Sequence, residues 1–153
     1  MTLASPPSID LDAALARYIG ALEGLDAERV PALGALVRQD IRFRDPFSNV
    51  VGAERMLVIF TRLFEDCVDV RFVARPPVRG GLIAYVSWTM DYRLRRWAKG
   101  PLWRIEGASE IHLAEDGLIA AHIDHWDAAS QFYERLPVIG SVLRAIRRRV
   151  AVT

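Results

Sequence analysis

From Val68 to Trp126 the chain is a succession of apolar-rich stretches divided by turn formers, and no other feature narrows its fold as far. Residues 68–74, 82–95, 102–113 and 118–126 read as strands, the second of them rich in branched and aromatic side chains. Between them stand Pro76-Pro77 with Gly80-Gly81, then Lys99-Gly100-Pro101, then Glu115-Asp116-Gly117. The last of these suits a three-residue hairpin loop with Gly117 where φ must be positive. An antiparallel meander is predicted.

Helical spacing precedes the meander. Ser8 or Asp10 caps a helix reaching about residue 22, with Leu11, Leu15, Tyr18, Ile19 and Leu22 on one stripe and Gly24 at its end. A second helix over 26–36 is weakened inside by Pro31 and Gly34. A third covers 52–66, with Met56, Ile59, Phe60 and Leu63 on one face. Helices packed on one face of a sheet make an α+β domain. Residues 1–8 read as a loose arm, 9–128 as the domain and 129–153 as a helical, basic tail.

At 153 residues, 52% hydrophobic and 25% charged, the chain is a single globular unit, and disorder is excluded. A net charge of +1 gives no electrostatic reason to expect a nucleic-acid partner. The lone Cys67 excludes an intramolecular disulfide and a multi-cysteine zinc site, and it fits a reduced cytoplasmic setting. No apolar run approaches the roughly 18 residues of a membrane span, and the N-terminus lacks the basic and apolar regions of a signal peptide.

The strongest pointer to chemistry is Ile41-Arg42-Phe43-Arg44-Asp45-Pro46-Phe47. Its alternation puts Asp45 on the interior side with Ile41 and Phe43, and Pro46 stops the strand there. Burial raises a carboxylate's pKa and makes it a usable base. An Asp-Pro turn whose side chain binds backbone N–H groups explains the same residue.

Pairing the last two strands across the hairpin loop sets Ala114 opposite Leu118, Glu110 opposite His122, Ala108 opposite Asp124 and Glu106 opposite Trp126. Glu110, His122, Asp124 and Trp126 then share the Asp45 face. Glu110 and His122 form either a buried structural pair or an acid–base dyad. Asp124 orients His122 or pairs with Arg104, and His125 points away. His112 has Glu110's parity but lies nearer the loop, and Asp127 caps the helix that follows.

Phe43, Val86, Trp88 and Met90, with Met56, Phe60 and Leu63 from the third helix and Trp126, would wall an apolar pocket, although core packing accounts for them equally well. His122, Asp124 and Glu110 read as carboxylate–imidazole pairing rather than a metal site, so no metal is assigned. There is no phosphate loop, nucleophile elbow or dinucleotide fingerprint, and Cys67 has no evident base nearby. In the tail, interrupted at Pro137 and Gly140, Val138, Val142, Ile146 and Val150 stand against Arg144, Arg147, Arg148 and Arg149. The expected arrangement is a docked helix with a solvated face. Contact of residues 138–149 with a membrane or an acidic partner is the alternative.

The order of elements, the helix Leu15-Ala16-Arg17-Tyr18-Ile19-Gly20-Ala21-Leu22 and the strand end Arg44-Asp45-Pro46 resemble the nuclear transport factor 2-like superfamily. Within it, the likeness is to the SnoaL-like and ketosteroid-isomerase-like group, over residues 9–128. The resemblance implies a cone-shaped, cystatin-like roll, in which a curved antiparallel sheet wraps around three N-terminal helices with a pocket between. It also implies a homodimer through the outer sheet face, where the strand parity puts Ile105, Ile111, Leu113, Ala121 and Ile123.

By the same resemblance Tyr18 matches an oxyanion-hole tyrosine, Asp45 the proton-abstracting base, and Glu110 a protonated aspartic acid. An imidazole beside Glu110 favours its ionised form, which argues against a steroid-type isomerase. The resulting expectation is a cofactor-independent isomerase, dehydratase or hydrolase acting on a small apolar or polycyclic oxygenated molecule. In it Asp45 takes a proton, Tyr18 binds the substrate oxygen, and His122, set by Glu110 or Asp124, moves the second proton. The alternative is a non-catalytic binding or dimerisation module. The enzyme needs Asp45, Tyr18 and His122 to meet in one open cavity, and the module a filled one.

Overall fold

The computed structural model describes residues 9–151. Helix α1 (Leu11–Glu23) starts where Asp10 accepts a hydrogen bond from the Ala13 N–H at 3.0 Å, and Gly24 ends it. Its buried stripe includes Leu15, Tyr18, Ile19 and Leu22. The other candidate cap, Ser8, lies outside the described residues together with the arm over 1–8.

The expected second α-helix is a 3-10 helix, Val30–Leu36. Pro31 in its first turn and Gly34 in its middle leave too few good helix formers for an α-helix of that length. Strand β1 (Val37–Arg44) follows and ends just before Asp45. The chain then folds back as β2 (Asn49–Val51), a strand too short to be read from alternation, and enters α2 (Ala53–Asp66). The meander consists of β3 (Cys67–Ala74), the short β4 (Val78–Gly80), β5 (Ile83–Leu94), β6 (Trp103–Leu113) and β7 (Ile119–His125). The tail holds α3 (Ala128–Gln131), a 3-10 turn Tyr133–Arg135, and α4 (Ile139–Val150). Asp127 caps α3, as expected.

One curved, open sheet runs in the order β2-β1-β7-β6-β5-β3, with β4 beside β5. It is mixed rather than wholly antiparallel, because β1 lies parallel to β7. Residues 45–118 separate these two strands in sequence, more than enough chain for a parallel crossover. The main core joins Leu15 and Tyr18 of α1 to Leu33, Phe43, Met56 and Ile111. A second cluster of Cys67, Trp88, Tyr92, Trp103 and Ile105 is covered in part by Phe132 and Leu136 of the tail.

The β6–β7 hairpin corrects the expected register. Its loop is as anticipated: the Ala114 N–H donates to the Leu118 carbonyl at 2.8 Å, and Gly117 has φ +80°. Leu113 then faces Ile119, but His112 faces Ala121, leaving Ala120 as an extra residue on β7. Beyond that bulge Ile111 lies opposite His122, Ser109 opposite Asp124, and Glu110 opposite Ile123. One inserted residue sends every later pair to the other face. Ile105, Ile111 and Leu113 therefore belong to the interior, and of the residues proposed for a dimer face only Ala121 and Ile123, each 8% exposed, lie outside both core clusters.

Gly117 holds this hairpin against α1, and a Cβ there would lie 2.9 Å from Ile9 Cγ2. Gly117→Ala should cost about 1–2 kcal/mol, because the left-handed backbone penalises any side chain. An unchanged urea midpoint would contradict this reading of the turn.

Candidate functional site

His122 is 3% exposed, and both of its ring nitrogens have partners. Nε2 lies 2.8 Å from Asp124 Oδ1, and Nδ1 lies 2.8 Å from the Tyr18 hydroxyl. The partners decide the protons. The Asp124 carboxylate accepts, so Nε2 carries hydrogen. Tyr18 is wholly buried and has no other partner among the described residues, so its O–H must donate to Nδ1. A doubly protonated ring would leave the tyrosine hydrogen buried and unbonded.

The chain of bonds continues past Asp124. The Ser109 hydroxyl donates to the same Oδ1 and accepts from Trp88 Nε1 at 2.8 Å. Trp88 can only donate, so the sequence from Trp88 through Ser109 to Asp124 has one polarity. Four elements, β5, β6, β7 and α1, are tied by it. No buried side-chain nitrogen or oxygen among the described residues lacks a partner. Burial, with the Asp124 charge as a smaller cause, holds the Tyr18 hydroxyl well above the usual tyrosine range.

His122 and Asp124 open onto a cavity of about 410 Å³ between the sheet and α2. Its walls are largely apolar, with Phe43, Phe60, Phe72, Trp88 and Met90 prominent. At one end Phe47 packs edge-on against Trp126 and Phe132, with ring centroids 5.4 and 5.3 Å apart. Cys67 and Tyr92 also line the cavity, and burial pushes the thiol up to about 11, so it stays neutral. A neutral thiol is a poor nucleophile.

Asp45 lines the same cavity from the end of β1. Its Oδ1 accepts from the backbone N–H groups of Phe47 and Ser48 at 2.8 and 2.6 Å, which closes the turn around Pro46. Burial raises its pKa above the ordinary carboxylate value, against the pull of those two N–H groups. The Asp124 charge pushes in the same direction as burial.

Of the residues singled out from sequence, Asp45, His122, Asp124, Phe43, Phe60, Trp88, Met90 and Trp126 meet in this cavity. Tyr18 does not reach it, because its hydroxyl is taken up by His122 from behind. Met56 and Val86 are packed in the main core instead of the cavity wall. Glu110 is on the opposite sheet face, bonded to His112 and to the Tyr85 hydroxyl, with His125 at 3.8 Å. The ladder slip at Ala120 put it there. Its pKa is lowered, chiefly by the His112 hydrogen bond. Arg104 pairs with Asp91 at 2.6 Å and not with Asp124. With Glu110 gone, the three-ligand set that could have been drawn with His122 and Asp124 is not assembled.

Two contributing residues escaped the sequence reading. Ser109 links Trp88 to Asp124, and Gly107 lies beneath the Trp88 ring, where a Cβ would be 2.7 Å from Cζ2 and 2.9 Å from the His125 carbonyl oxygen. The signal was present. Trp103, Ile105, Gly107, Ser109, Ile111 and Leu113 form the apolar parity of β6, and Arg104, Glu106, Glu110 and His112 the polar one.

A SnoaL-like domain model matches residues 16–122. The chain belongs to the SnoaL-like family. A search of curated proteins gives no match. Among solved structures, TsrD from Streptomyces laurentii superposes with a TM-score of 0.69 at 19% identity, covering 82% of this chain and 96% of that one. An LEH-like epoxide hydrolase of M. tuberculosis gives 0.64 at 17% identity, covering 95% and 98%. A candidate SnoaL-like polyketide cyclase from Jannaschia sp. gives 0.67 at 14%, covering 85% and 94%. At these identities the shared property is the nuclear transport factor 2-like fold. The SnoaL-like match takes in Tyr18, Asp45, Ser109 and His122 and stops short of Asp124.

Two measurements follow from this geometry. Gly107→Ala should displace the Trp88 indole, costing about 1–3 kcal/mol and shifting tryptophan emission. Unchanged stability and emission would contradict the contact. The second concerns Asp45, whose raised pKa means the folded protein holds its proton to higher pH than the unfolded chain. Its contribution to stability is complete below the unfolded pKa and is lost as pH rises to the folded one. Asp45→Asn, which keeps an acceptor for the Phe47 and Ser48 N–H groups, should therefore be more stable than wild type at neutral pH. The difference should vanish in acid. Urea titrations with the opposite trend would refute the burial argument.

Proposed function

We propose that this SnoaL-like protein is a cofactor-independent acid–base enzyme that adds or removes water at a small, largely apolar, oxygenated molecule. The observation that carries the reading is the placement of two carboxylates, Asp45 and Asp124, on one apolar cavity in unlike surroundings. Unlike surroundings are how one site supplies both an acid and a base. Asp45, which keeps its proton to higher pH, is the acid. Asp124, held by Ser109 and by His122, is the base.

In epoxide opening, Asp124 takes a proton from water as the water oxygen bonds to a ring carbon. The ring C–O bond breaks, and its oxygen takes the proton of Asp45. In dehydration of a β-hydroxy carbonyl compound, Asp124 takes the proton on carbon and Asp45 protonates the departing hydroxyl. Tyr18 is a positioning residue, acting through the tautomer and angle of His122. An isomerase of the ketosteroid type is disfavoured. Its oxyanion donors would be Tyr18 and Glu110, and the first is bonded to His122 while the second faces away. The solved epoxide hydrolase of like fold agrees with the hydrolytic branch.

A binding module is the second reading, favoured by the two turn bonds that occupy Asp45 Oδ1. A panel of epoxides, β-hydroxy ketones and enones separates the two. For the active substrate, Asp45→Asn and Asp124→Asn should each lower kcat/KM by about 10²–10⁴. Wild-type activity should fall as pH rises through the raised Asp45 pKa, and Asp45→Asn should lack that limb. Full activity in Asp45→Asn overturns the assignment of the acid, and binding of panel members without turnover favours the module.

A further inference from the structure

Helix α4 is attached to the domain along the edge that carries Gly140, Leu143, Arg144 and Arg147. Gly140 is buried and Leu143 and Arg144 are half-buried. Arg144 donates to the Glu134 carbonyl, and Arg147 pairs with the buried Glu134 carboxylate at 3.1 Å. Beside that edge runs a stripe of Ile139, Val142, Ile146 and Val150, at spacings that fall on one helix face, and these side chains are 54, 58, 55 and 77% exposed. A helix of this composition docked for its own burial would turn the other way. The expectation of a docked helix with a solvated basic face is thus half met: the helix is docked, and the apolar face is the solvated one.

Charge narrows what the stripe can meet. From Val138 to the end of the chain there are four arginines and no acidic residue, in a protein whose net charge is only +1. Arg147 and Arg149 flank the apolar stripe on the helical wheel; Arg147 is held by Glu134, and the stem of Arg149 can lie along an acyl surface while its guanidinium group reaches headgroup phosphates. The turn that carries α4 adds to this charge, since Arg135 shares a shallow depression with Arg96, Trp97 and Lys99.

A second copy of the chain fits less well. Packing two stripes would bring arginine against arginine with no carboxylate on the helix to pair them. Four side chains on a 12-residue helix also fall far short of the ~800 Å² per partner that a stable interface buries.

We infer that α4 is an interfacial helix that holds the protein reversibly on an anionic lipid surface, its apolar stripe in the acyl boundary and its arginines among the headgroups. The proposal rests on residues apart from the cavity and stands whatever the cavity does.

The test is flotation of the full chain with phosphatidylcholine vesicles, with and without roughly a third of phosphatidylserine. Wild type should float with the anionic vesicles and not with the neutral ones, and should be released as NaCl rises from about 0.1 to about 0.5 M. Ile146→Asp should lower binding about tenfold or more through the stripe, and Arg148→Glu with Arg149→Glu by a similar factor through charge. All three positions are exposed, so circular dichroism should show the fold unchanged. Three results would overturn the proposal. They are no flotation with anionic vesicles at low salt, flotation untouched by Ile146→Asp, or a dimer that Ile146→Asp dissolves in a protein that binds no vesicles.

Discussion

A buried imidazole must satisfy two nitrogens at once, and the arrangement around His122 organises much of this fold. Asp124 accepts from one nitrogen and Tyr18 donates to the other, while Ser109 and Trp88 complete the line. Loss of any partner would leave a polar group alone in the interior, at a cost of about 1–3 kcal/mol. The bulge at Ala120 follows from the same need. In a regular hairpin His122 would share Glu110's face and point outward, and the extra residue on β7 turns it toward α1. A local irregularity of the ladder is thus what brings the first helix and the last strand into contact.

That irregularity also marks the limit of what could be read from sequence. The α+β architecture, the Asp10 cap, the Asp127 cap, the Gly117 loop and the inward side of Asp45 are all visible in periodicity and turn chemistry. These signals are local, and the residues carrying them decide them alone. Which residue of β6 meets His122 is decided instead by an insertion whose residue, alanine, has no distinctive preference. Counting outward from the loop put Glu110 inside, although β6's own alternation puts Ser109 and Gly107 there. The two arguments conflicted, and burial was the stronger, because an outward Ile111 and Leu113 would have exposed two large apolar side chains for the sake of burying a glutamate. Tyr18 was placed on the correct helix face, but that face alone could not tell that a histidine lay between its hydroxyl and the cavity.

Asp45 shows how one residue can answer to two readings. As a turn former it uses Oδ1 for two backbone N–H groups, which explains why an aspartate precedes Pro46. As a cavity residue it keeps a raised pKa in spite of those bonds, because burial outweighs them. The turn holds the carboxylate at a defined point on the wall, and the apolar wall makes its proton hard to remove. A backbone-anchored acid of this kind needs no second side chain to position it, unlike Asp124, which depends on Ser109 and His122.

The tail joins the two proposals along the chain. Phe132 lines the cavity beside Phe47 and Trp126, and the next three residues form the turn on which α4 is mounted. Residues 133–138 are all that separates Phe132, at the aromatic end of the cavity, from the first residue of the exposed stripe, Ile139. Molecules apolar enough to favour a cavity walled by Phe43, Trp88 and Met90 also partition into lipid, where their concentration exceeds that in water. A protein resting on an anionic bilayer by α4 would hold the aromatic end of its cavity near that reservoir. If both proposals hold, the segment following the last strand would serve the site twice, lining one end with Phe132 and carrying the helix that meets the bilayer.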